Sequence, residues 1–288
     1  FLSSFSRVSS LWQVNNYQKN WTDEYFSGWF TNYDWVSTRI IKFENWTLNK
    51  TFTYANEPNK ILYDNWWLLV WWAFTSPTNR ITKLLPDWTV DATFSVWTWF
   101  NNRCFDIIKL VNWLYLVVWS FTTYKWVACN NIITLDSVWT KDNTFIGGNF
   151  AWWFIWPRRM LQLSNGNILV YWSITSYKWV ACNRAIILDS VWDQVAWLSS
   201  NFSGTPNRAV EYNGKVYFTG SFATFWATTV NNIACIDLAT WTLVNIFWTG
   251  LNWTWNDIIV DNWGKLVVVW NFTTYNDNPV WYVARIFI

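Results

Sequence analysis

Short apolar runs alternate with turn residues along the whole chain, and they recur in a fixed order. Each unit has an apolar run, a phrase of the type Phe-Thr-Thr-Tyr, and a second apolar run; the clearest copy lies between Asn112 and Phe145. Short runs rich in Val, Ile, Phe and Thr, broken by turn residues about every 8–12 residues, predict an all-β array. No apolar run combines a helical period with a cap, so the pattern predicts no helix.

The phrase begins at six positions along the chain: Phe30, Phe74, Phe121, Ile174, Phe222 and Phe272. Successive phrases are 44 to 53 residues apart. A regular period of this size is the signature of an array of supersecondary units, and four strands per unit match one blade of a β-propeller. We predict one β-propeller domain over residues 1–288 with six four-stranded blades. Seven blades, or a β-solenoid, are the alternatives.

The two ends of the chain complement each other in this scheme. The last repeat stops within its third strand, at Ile288, and residues 1–11 precede the first repeat without a blade of their own. Because a closed ring leaves no open sheet edge, we expect the N-terminal strand to complete the last blade. The chain begins at Phe1 without Met, which indicates a mature chain or a fragment of a larger protein.

Tryptophan occupies turn positions at which this repeat is expected to carry glycine. The chain has 31 Trp and 9 Gly. The turn before the second strand reads Asn165-Gly166 and Asn213-Gly214 in two repeats, but Asn65-Trp66, Asn112-Trp113 and Asn262-Trp263 in three others. Asn-Gly favours a tight hairpin because both central residues of a type I′ turn need positive φ, which Gly adopts without steric cost.

A second set of tryptophans lies inside strands, two residues before the central phrase, where Gly28 and Gly220 stand in other repeats; these are Trp72, Trp119, Trp172 and Trp270. We interpret both sets as glycine positions, as would result if a UGA codon that the source organism reads as Gly were translated as Trp. The alternative is a truly Trp-rich chain with a sugar-binding surface. The first interpretation predicts tight turns with solvent-exposed indoles at Trp66, Trp113 and Trp263, and crowded or outward-pointing indoles within the strands.

With Gly at the Trp positions, the unit resembles the delta-60 repeat, a bacterial β-propeller repeat. The resemblance rests on Asn213-Gly214-Lys215 with Thr219-Gly220-Ser221-Phe222, on Asn262-Trp263-Gly264-Lys265, and on Asp87-Trp88-Thr89-Val90-Asp91-Ala92-Thr93-Phe94. Arg39, Arg80 and Arg285 are assigned to the Arg position of the family. The resemblance implies a secreted or surface-attached bacterial protein and no shared enzymatic mechanism.

Composition excludes several classes of function. The net charge is +2, with 20 basic and 18 acidic residues, so no basic surface for nucleic acid is indicated. No apolar run reaches the roughly 18 residues of a membrane helix. The chain has no His, which excludes Ser-His-Asp and Cys-His catalysis. The four cysteines lack metal-ligand spacing, so we expect free, mostly buried thiols and no metal or cofactor.

Carboxylates offer a catalytic alternative. Asp106 and Asp257 begin equivalent first strands, which line the central channel of a propeller, and a glycosidase needs two carboxyl groups about 5–10 Å apart. A structural role in strand-start turns is the favoured interpretation. Asp136, Asp189 and Asp237 end third strands, where a carboxylate is expected to accept hydrogen bonds from turn amides.

Aromatic residues that follow the second strand suggest a candidate ligand face made of Tyr33, Tyr124, Tyr177, Phe225 and Tyr275. Repeated on one side of a ring, they would stack against a ligand; the favoured alternative is that each packs within its own blade. The leading functional prediction is a non-catalytic, monomeric interaction scaffold at the cell surface or outside the cell, which binds an unknown protein or glycan. The alternatives are a lectin-like glycan-binding module and a channel-mouth glycan hydrolase or lyase.

Overall fold

The computed structural model describes most of the chain, and every described element is a β-strand. The described residues are 11–20, 23–33, 36–45, 47–52, 60–64, 67–71, 81–94, 100–102, 104–118, 120–129, 131–142, 150, 157–182, 184–195, 202–254, 257–269, 272–280 and 282–288. No helix in this part of the chain is long and apolar enough to cross a membrane. The chain divides into two compact units, Phe1–Ile107 with Val117–Cys129, and Ile108–Leu116 with Asn130–Ile288.

The first unit contains two antiparallel sheets. Their strands are β1 (Leu11–Asn20), β2 (Asp23–Tyr33), β3 (Val36–Glu44) and β4 (Thr47–Phe52) in the first sheet, and β5 (Lys60–Asp64), β6 (Trp67–Trp71) and β7 (Ile81–Leu84) in the second. Tyr25 and Ile40 on one face of the first sheet pack against Ile61, Leu68 and Val70 of the second. The first sheet therefore buries the face that points to the second.

The strands of the third repeat are shared between the two units. They are β8 (Asp106–Lys109), β9 (Tyr115–Val118), β10 (Thr123–Tyr124), β11 (Val127–Ala128) and β12 (Ile132–Leu135). The strand order is β12-β9-β8 in the sheet, and β10 and β11 form a separate two-stranded hairpin. This hairpin lies between the second and third strands of the sheet in the sequence, which is the place of the Phe-Thr-Thr-Tyr phrase.

The second unit repeats this arrangement three times. Its sheets are β13 (Pro157–Gln162), β14 (Ile168–Trp172) and β17 (Ala185–Leu188); β18 (Thr205–Tyr212), β19 (Lys215–Ser221) and β22 (Ile233–Asp237); and β23 (Asp257–Val260), β24 (Lys265–Val269) and β27 (Val283–Phe287). The hairpins are β15 (Ser176–Tyr177) with β16 (Val180–Ala181), β20 (Thr224–Phe225) with β21 (Thr228–Thr229), and β25 (Thr274–Tyr275) with β26 (Asn278–Pro279).

In the described part of the later repeats, the fourth strand is shorter than the sequence predicts. The first sheet has four strands, but in later repeats the fourth strand is reduced to one bridge, as between Leu84 and Val90 or between Ile236 and Leu243. After Val90, the amide of Phe94 donates to the carbonyl of Asp91 at 3.0 Å and the amide of Thr93 donates to the Asp91 carboxylate at 2.9 Å. These local bonds turn the chain away from the sheet.

Packing within the second unit joins successive repeats through apolar faces. One cluster combines Leu169, Tyr171 and Ile187 of one sheet with Val216 and Phe218 of the next. A second cluster continues from the opposite face of that sheet into the last one. All four cysteines are buried and none forms a disulfide, as the sequence predicts; Cys235 belongs to the second of these clusters.

The left-handed turns show which positions suit glycine. In the loop Leu163–Asn167, the amide of Gly166 donates to the carbonyl of Leu163 at 2.9 Å, the amide of Leu163 donates to the carbonyl of Asn167 at 2.8 Å, and Gly166 has φ 86°. This is a three-residue hairpin loop with an αL residue. The same pair of hydrogen bonds and a φ of 62–72° recur at Gly264, Trp88, Trp113, Trp139 and Trp192.

Two-residue hairpin turns show the same equivalence. Asn213-Gly214 has φ values of 48° and 68°, Lys125-Trp126 has 46° and 67°, and Lys178-Trp179 has 46° and 69°. Positive φ at both central residues is the type I′ pattern. Tryptophan therefore adopts the backbone conformation that glycine adopts in the equivalent type of turn.

The individual Trp expectations have different outcomes. Trp113 has positive φ and an exposed side chain, as predicted. Trp263 is exposed, but the φ of 71° falls on Gly264, so the assignment of Trp263 to the glycine position is wrong by one residue. The indoles of Trp88, Trp139 and Trp192 are buried in spite of their positive φ.

Among the strand tryptophans, Trp172 has φ 141° and its indole is half-buried beneath the Arg158 guanidinium, 5.1 Å from the ring centroid. Trp172 pairs with Pro157 as Gly220 pairs with Pro206. A β-carbon on Gly220 would lie 2.3 Å from the carbonyl oxygen of Thr205. Four other tryptophans for which predictions were made, Trp66, Trp72, Trp119 and Trp270, lie outside the described residues.

Candidate functional site

The hairpins inserted between the second and third strands of each repeat carry the predicted aromatic residues at their bases. The side chains of Tyr124, Tyr177 and Phe225 are each 1% exposed. They contact Phe100, Phe150 and Phe202, respectively, with ring centroids 4.8–5.0 Å apart. These three rings pack within their own repeats and do not face solvent.

The other two predicted aromatic residues differ. Tyr275 is half-buried, and burial raises the pKa of its phenol. Tyr33 ends β2, but its side chain lies outside the described residues. The structure therefore places four of the five residues at equivalent hairpin bases, where their role is to anchor the hairpin.

A polar side chain from an earlier segment also holds the hairpins, and the sequence analysis did not identify it. The Asn101 amide oxygen accepts hydrogen bonds from the amides of Thr122 and Thr123 at 2.9 and 3.1 Å, and its Nδ2 donates to Thr122 Oγ1 at 2.8 Å. Because the bonds satisfy two consecutive backbone donors, they fix the entry of the chain into the hairpin. We call this arrangement the hairpin clamp.

The clamp recurs in the second unit. Asn252 makes the same three bonds to Thr273 and Thr274, all at 2.9–3.0 Å. Ser203 Oγ accepts from the amides of Ala223 and Thr224 at 3.0 and 2.9 Å. In the sequence, the clamp residue is an Asn or Ser that follows an apolar residue and lies about 20 residues before the phrase. At this separation, local sequence patterns carry little information.

The exposed part of each hairpin is its two-residue tip. Trp126, Trp179 and Trp226 are 80%, 81% and 62% exposed. The corresponding tip in the last repeat is Asn276-Asp277, with φ values of 48° and 62°. The hairpins thus present different tips on bases that hold an aromatic ring and, in three of the four described hairpins, a clamp.

The two candidate catalytic carboxylates are engaged in separate ion pairs. Asp106, whose side chain is buried, pairs with Lys60 in the first unit. Asp257 accepts a hydrogen bond from Arg208 Nε at 3.0 Å in the second unit. In both cases the cation lies on the first strand of one repeat and the carboxylate on the first strand of the next. The pairs therefore link neighbouring repeats.

The turn carboxylates behave as predicted. Asp136 Oδ1 accepts from the amides of Val138 and Thr140 at 3.0 and 2.7 Å. Asp189 accepts from two turn amides in the same way. Backbone and side-chain hydrogen bonds from Thr240 lower the pKa of the Asp237 carboxyl group. These residues stabilise turns, and the prediction of a structural role is confirmed.

One assignment within the repeat requires correction. Arg39 precedes Ile40, which pairs with Ser27, whereas Arg285 pairs with Val267. In this register Arg285 is equivalent to Lys42 and Lys83, which pair with Tyr25 and Leu69. Arg285 donates to Asp261 at 2.5 Å. The assignment of Arg285 to the same position as Arg39 is therefore wrong.

In the described part of the chain, no group of three or more His, Cys, Asp or Glu side chains is arranged to hold a metal ion.

Comparison with known proteins supports the propeller fold. Residues 64–94 match a family described as a beta-propeller domain of unknown function, DUF5122. No curated protein matches the sequence significantly. The extracellular domain of the one-component system BT4673 from B. thetaiotaomicron is similar in structure, with a TM-score of 0.51 at 9% identity over 92% of this chain. This chain covers 40% of that domain's chain.

A second solved structure, an alpha-L-arabinofuranosidase from Clostridium thermocellum, aligns with 73% of this chain and 80% of its own at 16% identity, with a TM-score of 0.32. Similarity at this level carries no functional argument. Together, the strand order of the repeats, the family match at residues 64–94 and the first structural similarity identify the chain as an all-β protein of the β-propeller type.

Proposed function

We propose that this protein is a non-catalytic β-propeller scaffold whose hairpin tips bind a protein or glycan partner outside the cell or at the cell surface. The observation that carries the proposal is the repeated hairpin: its base is held by a buried ring and a clamp, and its tip is exposed. Rigid scaffolds that display variable loops are a common basis for recognition. The structurally similar domain from B. thetaiotaomicron is extracellular, which supports the location.

The charged residues of the inner strands support the same proposal. Lys60 with Asp106, and Arg208 with Asp257, neutralise each other between repeats. Their role in this proposal is to join blades. We further propose that the six repeats are of the delta-60 type and close into one ring, with the N-terminal strand completing the last blade.

The experiment replaces the tips of the three hairpins in the second unit with Asn-Gly, the dipeptide of the type I′ turn at Asn213-Gly214. The changes are Lys178→Asn with Trp179→Gly, Trp226→Asn with Ala227→Gly, and Asp277→Gly. We expect binding on a glycan array or in a pull-down to be lost while the thermal unfolding midpoint is kept. Unchanged binding by the tip variant, or turnover of a substrate panel by the chain, would contradict the proposal.

A second candidate function is glycan binding through the tip tryptophans. The exposed indoles of Trp126, Trp179 and Trp226 favour it, because aromatic faces stack on apolar sugar surfaces. This candidate requires that Trp be the natural residue at the tips. Loss of glycan binding in the single variant Trp179→Phe would count against simple stacking, and retention in Trp179→Gly would contradict the candidate.

We also infer that tryptophans at left-handed turn positions replace natural glycines. The support is that Trp113, Trp139 and Trp192 share the two hydrogen bonds and the φ range of Gly166 and Gly264, a conformation that costs a non-Gly residue about 1–2 kcal/mol. The test is the intact mass of the protein purified from its source. Masses of tryptic peptides that contain Trp at these positions would overturn the inference.

A further inference from the structure

The two Asn-Gly pairs of the sequence, Asn165-Gly166 and Asn213-Gly214, lie in hairpin loops of different kinds, and the difference has a chemical consequence. In an Asn-Gly pair the backbone nitrogen of Gly can attack the side-chain carbonyl carbon of Asn, because glycine has no side chain to hinder the approach. The attack requires a Gly nitrogen that can lose its proton and a carboxamide that can turn toward it. Both conditions depend on the hydrogen bonds of the loop.

The first pair is held in an unreactive arrangement. The amide of Gly166 donates to the carbonyl of Leu163 at 2.9 Å, so the N–H of the attacking nitrogen is engaged. The Asn165 Oδ1 atom accepts a hydrogen bond from the amide of Asn167 at 3.1 Å, which fixes the side-chain amide in an Asx turn. Both bonds must break before the Gly166 nitrogen reaches the Asn165 carbonyl carbon. The loop therefore protects Asn165.

The second pair has neither bond. Asn213-Gly214 forms a two-residue loop between β18 and β19, closed by the paired residues Tyr212 and Lys215. Within the described part of the chain, the peptide group that joins Asn213 to Gly214 makes no hydrogen bond through its carbonyl or its N–H, and the Asn213 side chain makes none. Both residues are exposed. The attacking nitrogen and its target are therefore both open to solvent.

The conformation of this loop also provides a route to ring closure. With φ values of 48° and 68° it is a type I′ turn, and rotation of the central peptide group alone converts a type I′ turn into a type II′ turn. The rotation brings ψ of the first central residue to about −120°, where the following nitrogen is nearly eclipsed with Cβ, as a five-membered succinimide ring requires. Because that peptide group is not hydrogen-bonded, the rotation leaves the described hydrogen bonds of the hairpin intact.

We propose that Asn213 is a site of spontaneous covalent modification, where it closes to a succinimide with Gly214 and then opens to aspartate or isoaspartate. In the first step the Gly214 nitrogen gives its proton to a solvent base and bonds to Asn213 Cγ, while the Cγ–Nδ2 bond breaks and ammonia leaves. Water then opens the ring: addition at the side-chain carbonyl gives aspartate, and addition at the main-chain carbonyl gives isoaspartate. Either product adds a negative charge. The site lies outside the hairpin tips, so the modification goes beyond the proposed binding role.

The modified turn lies where the hairpin meets its neighbours in the second unit. The Gly214 carbonyl accepts a hydrogen bond from the amide of Leu238 at 2.9 Å. The phenol of Tyr212 lies so close to Gly264 of the next repeat that a β-carbon there would clash with its oxygen. Isoaspartate lengthens the main chain of the loop by a methylene group, and loop length sets the register of a hairpin. The modification therefore loosens both contacts.

The experiment follows both Asn-Gly pairs in one sample. The purified protein is incubated at mildly alkaline pH, and trypsin then releases residues 160–178 and 209–215 as separate peptides. Mass analysis measures the exchange of an amide nitrogen for oxygen, and fragment ions assign it to Asn165 or Asn213. We expect Asn213 to react at least about 5-fold faster than Asn165 in the native protein, the factor that two weak hydrogen bonds imply. A clearly smaller ratio would overturn the proposal.

Unfolding separates the effect of the loops from that of the local sequence. In urea neither pair keeps its turn or its hydrogen bonds, so we expect the two rates to become similar. A difference of the same size in urea would arise from the neighbouring residues and not from the loops, and it would also overturn the proposal.

A matched variant tests the effect of the modification on the hairpin. The isoaspartate form is separated from the unmodified protein by ion exchange, and Asn213→Asp provides the same charge on a main chain of normal length. We expect hydrogen exchange at the Leu238 amide to be faster in the isoaspartate form than in Asn213→Asp, because its acceptor on Gly214 is displaced. Equal exchange in the two proteins would overturn the loosening of the hairpin. Binding experiments with the hairpin tip variants test the scaffold role separately.

Discussion

Tryptophan residues in this chain differ in burial and in the backbone conformation that they adopt. Trp71 lies in β6 with a fully buried indole, and its Nε1 donates to the carbonyl of Phe105 at 3.1 Å. Trp179 stands at a hairpin tip with φ 69° and an exposed indole. The first residue gains from burial and a hydrogen bond, whereas the second has a strained conformation and little burial to offset it. The residue type alone does not distinguish them.

The first prediction compares these two tryptophans. Trp179→Gly is expected to raise the free energy of unfolding by about 1–2 kcal/mol, because glycine adopts the left-handed conformation without the steric cost. Trp71→Gly is expected to lower it by about 3–5 kcal/mol or more through the cavity that it leaves. Urea unfolding of both variants measures the difference. A loss of stability in Trp179→Gly would show that the indole has a stabilising contact.

Cysteine reactivity gives the second prediction at this scale. Burial raises the pKa of the Cys182 thiol to about 12 and that of Cys235 to about 11. Since the thiolate is the reactive form, both residues should resist iodoacetamide at pH 8 in the native protein and react after unfolding in urea. Peptide mass analysis before and after unfolding is the measurement. Rapid native labelling of Cys235 would contradict its placement in the core.

At the level of elements, the hairpin between the second and third strands has little strand pairing of its own. Its strands have two residues each, so their own pairing provides little stability. The base is held instead by Asn252, whose amide group makes three hydrogen bonds to Thr273 and Thr274. The order of the hairpin therefore depends on a residue from the preceding connection.

The third prediction tests this dependence. Asn252→Ala removes the acceptor for two backbone amides, and each lost bond of this kind costs about 0.5–1.5 kcal/mol. We expect faster hydrogen exchange in the hairpin of residues 274–279 and a loss of about 1–3 kcal/mol in global stability. Asp277→Asn, at the exposed tip, is the control. Equal exchange in the two variants would mean that the clamp does not hold the hairpin.

The sequence predicts the strands better than the side-chain environments of the site. Continuous apolar runs indicate the second and third strands of the repeats. Strands that are buried on both faces, such as β9 and β12, leave this signal in the sequence. The turn carboxylates follow from local hydrogen bonding. The burial of Tyr177 and the clamp by Asn252 depend on residues far away in the sequence, and the shortened fourth strand depends on bonds around Asp91 that compete with the sheet.

At the level of the whole molecule, ion pairs between first strands join successive repeats in each unit. Lys60 and Asp106 are 46 residues apart, and Arg208 and Asp257 are 49 residues apart. The two pairs differ in burial: the Asp106 side chain is 1% exposed, and that of Asp257 is 47% exposed. The first ion pair therefore lies in a low-dielectric, buried environment, and the second lies in contact with water.

The fourth prediction uses this difference. Lys60→Met leaves Asp106 as a buried charge without its cation and should cost about 3–5 kcal/mol. Arg208→Met leaves Asp257 in contact with water and should cost about 1 kcal/mol or less. Urea unfolding measures both. The double variant Lys60→Met with Asp106→Asn should recover most of the lost stability. If it does not, Lys60 stabilises the protein through its packing and not through the ion pair.

The clamped hairpin has a consequence for how such a protein changes over generations. The tips Trp226-Ala227 and Asn276-Asp277 differ in chemistry, yet beneath each of them lies an aromatic residue at the hairpin base and a clamp. Because the stabilising contacts are made by the base, tip substitutions that keep the turn conformation have little effect on stability. Duplication of a repeat, followed by substitution of its two tip residues, therefore yields a new surface chemistry on the same sheet and hairpin base.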